Sequence, residues 1–76
     1  MEEWETRLAD ALELVDRSQE TVASQTRRLE AIRAAGRPTR VHEDMLALFE
    51  AALERRQKRL GEILAAAPIG SQFRPR

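Results

Sequence analysis

Along the first 32 residues, mostly apolar or small side chains recur in alternating steps of three and four. The series is Met1, Trp4, Leu8, Ala11, Val15, Ser18, Val22, Gln25, Leu29 and Ile32. That is the seam of a heptad-patterned helix, with one side facing a partner and the rest polar. A second series, His42, Leu46, Phe49, Leu53, Arg56, Leu60, Ile63 and Ala67, repeats the pattern in the second half. Leu12 and Leu14 widen the first stripe, and Met45, Leu48, Ala52 and Leu64 widen the second. Stripes of this width imply more than one packing neighbour.

Between the two series lies Ala35-Gly36-Arg37-Pro38-Thr39. Gly36 suits the left-handed position just past a helix end. Pro38 cannot continue the helix and biases Arg37 away from helical geometry. Thr39 is an expected N-cap, its hydroxyl accepting from a free backbone N–H of the next turn. Glu43 and Asp44 follow where the helix dipole favours negative charge. The predicted fold class is therefore all-α: an antiparallel two-helix hairpin over residues 1–67. Its helices span about 2–35 and 39–67, with a turn at 36–38. Pro68 ends the second helix, and residues 68–76 are expected to form a flexible tail.

Folding about Gly36 and Arg37 sets each residue i near residue 73 − i, which brings apolar layers together: Leu29 with Met45 and Leu46, Val22 with Leu53, Val15 with Leu60. The same register sets Arg27, Arg28 and Arg33 near Glu43 and Asp44. It sets Asp10, Glu13 and Asp16 near Arg55, Lys58 and Arg59. Residues 1–35 carry net −3 and residues 36–76 net +3, so the halves attract although the whole chain is neutral. Two helices alone cannot cover stripes this wide. A symmetric homodimer forming a four-helix bundle is the economical solution. The expected core and dimer interface comprises Leu8, Leu12, Val15, Val22, Leu29, Ile32, Met45, Leu46, Phe49, Leu53, Leu60 and Ile63.

Composition narrows the function. Seventy-six residues make one small domain, near the lower limit for a self-sufficient core. There is no cysteine, which removes disulfides and thiolate metal sites. No apolar run approaches the roughly 20 residues that span a membrane, and the acidic start is unlike a targeting peptide. A cytoplasmic protein is the expectation. His42 is the only histidine, without a second at i+4, and reads as a helix-start residue rather than a metal ligand. No glycine-rich phosphate loop or nucleophile set is present, so neither cofactor nor catalysis is expected.

Three features are candidates for binding. Ser18 and Gln25, with Arg56 opposite Ser18, form a polar layer in mid-seam, read as a register device or as an Arg56 stem that packs while its head reaches Asp16 or Glu20. The cluster Arg55, Arg56, Lys58 and Arg59 could follow a phosphate backbone. Its charges point around the helix, no aromatic is interleaved, and opposing acids are expected to neutralise it. Trp4, Ile69 and Phe73 could form an apolar patch at the open end of the hairpin.

The stretch Leu29-x-x-Ile32 to Gly36-x-x-Thr39, then Leu46-x-x-Phe49-Glu50-x-x-Leu53 and Arg59-x-x-x-Ile63-Leu64, resembles a group of short bacterial proteins of unknown function. They are common in alpha-proteobacteria. The resemblance covers residues 18–65 and implies a helical hairpin; it carries over no active residues. Arg37-Pro38 stands where that group usually has His-Asp, and Arg55-Arg56 where it often has Leu-His. The functional expectation is a non-enzymatic interaction or scaffold module acting as a homodimer, with an unidentified protein as a further possible partner. The alternative is a nucleic-acid-binding hairpin dimer using Arg55, Lys58 and Arg59, by analogy of architecture with plasmid-encoded RNA-binding hairpin dimers.

Overall fold

A computed structural model describes residues 2–68. Helix α1 runs Glu2–Ala34 and helix α2 runs Arg40–Ala65; the two pack against each other as an antiparallel hairpin. The molecule measures 56 × 22 × 17 Å, one long helix by two helix widths. The predicted seam is where the burial lies. Trp4, Leu8, Ala11, Val15, Ser18, Val22, Gln25, Leu29 and Ile32 are all buried or half-buried on α1. So are His42, Leu46, Phe49, Leu53, Leu60, Ile63 and Ala67 on the facing side; Arg56 alone is classed as exposed. Met1 and the Ile69 and Phe73 part of the expected end patch lie outside the described residues, as does the expected tail beyond Pro68.

The turn closes α1 as its residues require. Gly36 has φ +73°, the left-handed conformation that costs glycine least. The Arg37 N–H donates to the Ile32 carbonyl at 3.1 Å and the Gly36 N–H to the Arg33 carbonyl at 3.0 Å. This pair of bonds is a Schellman cap, which satisfies carbonyls that α1 would otherwise leave open.

Two expectations about side-chain partners need correction. Thr39 precedes α2 with φ −115° and ψ −3°, but its hydroxyl makes no cap bond to the backbone. It donates instead to the Glu43 carboxylate at 2.8 Å, because an ionised acceptor within reach outcompetes a neutral exchange. The charge ladder between helices reduces to Arg33–Glu43 at 3.2 Å among the described residues. Other ions find partners one turn away on their own helix: Arg17 with Glu13, Arg7 with Glu3, Arg40 with Asp44 and Arg59 with Glu62. Leu12, assigned to the core or dimer interface on a stripe too wide for two helices, is 49 % exposed in the hairpin. It sits one position off the seam, where α2 does not reach.

Helix α2 ends at Ala65, two residues before the expected limit. Ala66 donates to the Glu62 and Ile63 carbonyls, and Ala67 to that of Leu64. This tightening consumes carbonyls ahead of Pro68.

Candidate interaction surface

The hairpin core is thin. Ala11, Val15, Leu29 and Ile63 are its buried apolar residues, and no large described side chain is completely enclosed. The most buried of the polar residues is Ser18, in the middle of the seam. Its hydroxyl accepts from the Arg56 guanidinium at 2.5 Å. Arg56 and Ser18 thus meet across the seam as expected, and the Arg56 head bonds Ser18 itself rather than Asp16 or Glu20. The Arg56 stem occupies the seam position while its head remains at the surface.

Apolar side chains left wholly or partly uncovered fall on two flanks. On one, Val41, Met45, Leu48 and Ala52 follow each other in steps of four, three and four along α2. Val41 is 66 % and Leu48 70 % exposed, while Met45 is half-buried. Leu14 lies on the same flank from α1. On the opposite flank are Leu12 and Leu64, three heptads from Arg33 and Glu43 respectively, whose ion pair marks that side.

Clefts indent the Leu14 flank. One of about 190 Å³ has Ala11, Leu14 and Ile63 as its apolar lining, rimmed by Arg7, Asp10, Arg56 and Arg59. A second, about 220 Å³, lies at mid-length between Ser18, Thr21, Phe49, Ala52 and Arg56. A third, about 340 Å³, sits at the turn between Ile32, Arg37, Pro38, Arg40, Val41 and His42. The Nδ1 atom of His42 is buried without a hydrogen-bond partner. Among the described residues, no group of three or more His, Cys, Asp and Glu side chains is placed to hold a metal ion.

Arg55, Lys58 and Arg59 are exposed along α2. Asp10, Glu13 and Asp16, expected to neutralise them, form no ion pair with them; Glu13 is taken by Arg17 and Arg59 by Glu62. At the turn, the Glu43 carboxyl is held below the usual carboxylate range, first by the Thr39 hydroxyl and then by Arg33.

One contact was missed in the sequence. The Trp4 indole N–H donates to the Ile63 carbonyl at 2.8 Å, tying the start of α1 to the last turn of α2. The seam pattern placed Trp4 against α2; the polar end of its ring had no signal in the periodicity.

The sequence matches no protein-family model, and neither curated proteins nor solved structures include a match. Among the described residues, no helix is long and apolar enough to cross a membrane. What the fold defines is a small all-helical hairpin with uncovered apolar flanks.

Proposed function

We propose that this chain is a non-enzymatic interaction or scaffold module whose first partner is a second copy of itself. Two hairpins would complete one antiparallel four-helix bundle. The observation that carries this reading is the exposure of Val41 and Leu48 beside a core in which no large described side chain is completely enclosed. A core this thin gives little stability alone, and short chains without disulfides or metals gain it through association. A cytoplasmic setting suits a chain without cysteine. The test is sedimentation equilibrium at micromolar concentration. The reading expects a mass of two 8.7 kDa chains; the mass of one chain refutes it.

A second reading has one observation in its favour. Arg55 and Lys58 are exposed and unpaired by the acids expected to neutralise them. A nucleic-acid-binding hairpin dimer would use them with Arg59. Binding to RNA or DNA that weakens steeply with salt, and disappears in Arg55→Glu/Arg59→Glu, would favour it. No binding at low salt removes it.

A further inference from the structure

The uncovered groups of the Leu14 flank are arranged in a way that specifies how a second copy would lie. Axial position along each helix follows from about 1.5 Å per residue. Measured from the turn, Met45 and Leu48 stand at ~8 and ~12 Å, counting from Arg40. The cleft floor lies at the other end of the same flank: Leu14 at ~30 Å, and Ala11 and Ile63 at ~35 Å. Leu48 and Leu14 are thus equidistant from a midpoint at ~21 Å, and Met45 is equidistant with Ala11 and Ile63. At that midpoint the flank carries small residues, Thr21 and Ala52, beside the mid-length cleft.

We infer that the second copy lies on the Leu14 flank with its turn at the opposite end, Met45 and Leu48 of each chain seated on the Ala11–Leu14–Ile63 cleft of the other. The inference rests on the self-association reading above and adds the face and the direction. A two-fold axis between the flanks seats Met45 and Leu48 of each chain on the other's cleft at the same time, so the contact closes at two chains. Thr21 and Ala52 let the hairpins approach at the axis.

Charge selects the same direction. Asp10 and Arg28 share this flank of α1, and neither forms an ion pair among the described residues. They stand at ~36 and ~9 Å, so turns at opposite ends bring Asp10 of one copy close to level with Arg28 of the other, twice. Turns at the same end would instead set the arginine-rimmed cleft against itself. The Leu12 flank has no such match: reversing a copy there sets Leu12 and Leu64 against the end bearing Glu43. The Leu14 flank is also large enough. A face of 56 by 22 Å exceeds the ~800 Å² per partner of an ordinary stable interface.

The experiment combines mass with one distance. Because the chain has no cysteine, Ala35→Cys, at the exposed turn, accepts a single spin label. Double electron–electron resonance on the dimer should give a separation of ~40 Å, the length of the paired helices. A separation below ~25 Å means turns at the same end and overturns the inference while leaving self-association intact. Leu48→Arg and Leu14→Arg should each weaken the dimer at least about tenfold, with Leu12→Arg changing it little. If Leu12→Arg dissociates the dimer and the other two do not, the interface is on the opposite flank. Helicity by circular dichroism confirms that each variant retains its fold. A wild-type chain that sediments as a monomer overturns both the inference and the reading beneath it.

Discussion

The two described glycines, one closing α1 and one within α2, should respond to the same substitution with opposite sign. Gly36 occupies φ +73°, and a Cβ added there would meet nothing within 4 Å. The cost of Gly36→Ala is therefore backbone strain alone, roughly 1–2 kcal/mol for a left-handed L-residue. The smaller entropy of the unfolded alanine chain offsets about 0.4–1 kcal/mol of it. A net loss of about 1 kcal/mol follows, larger if the bonds from Gly36 and Arg37 to the end of α1 break. Gly61 lies inside α2 with ordinary backbone and equally open space. Gly61→Ala should add about 0.5–1 kcal/mol, the usual difference between these residues in a helix. In a domain of this size each kcal/mol moves the thermal midpoint by about 4–8 °C. Thermal unfolding followed by circular dichroism resolves that, provided chain concentration is held fixed, because the proposed self-association would shift the midpoint by mass action. A neutral or stabilising Gly36→Ala would refute the assignment of strain to the turn. A destabilising Gly61→Ala would show that this position is covered by another chain.

Ser18→Ala removes the acceptor for Arg56 and should lower stability by about 0.5–1.5 kcal/mol in urea unfolding; no change would mean that Arg56 rehydrates freely. Trp4→Phe keeps an aromatic ring, though a smaller one, and loses the bond to the Ile63 carbonyl. It should cost about 1 kcal/mol and speed amide exchange in the last turn of α2, measured by hydrogen–deuterium exchange. Glu43 has a folded pKa below its reference value of 4.5. Its contribution is thus present above pH 4.5 and disappears as pH falls through the lowered folded value. The midpoint difference between wild type and Glu43→Gln should shrink on acidification below that point, and a constant difference would refute the assignment.

The hairpin was legible because its information is periodic. Steps of three and four keep Trp4 through Ile32 on one side, and Gly36 with Pro38 can be accommodated only in a turn. What escaped the sequence depends on competition at short range. Thr39 was expected to cap the backbone, but a carboxylate four residues on offers a charged acceptor within reach. Arg59 was expected to cross to α1, but Glu62 is available on its own helix. Partners across the groove must immobilise two long side chains for a screened attraction, while a neighbour three or four residues away is already placed. The Trp4 contact was hidden for another reason. It depends on the stagger between the end of one helix and the start of the other, which periodicity does not report. Of the candidate surface, the uncovered leucines and methionine were visible as an over-wide stripe; which flank each occupies came only with the packing.

The polar layer bears on why one register is adopted. A seam built on heptads can slide by seven residues with apolar positions still facing apolar positions, as Val15 replacing Val22 illustrates. Ser18 and Arg56 break that degeneracy, since a slid seam would leave the Ser18 hydroxyl without Arg56 and place the Arg56 stem against a different layer. Within one hairpin the short turn already limits sliding, so the layer adds little there. Between two hairpins no turn exists. The proposed axis passes close to this layer, and the same Arg56 also rims the cleft offered to the second copy. A polar pair that costs core stability in the isolated hairpin is thus placed where it can set the register of the proposed association.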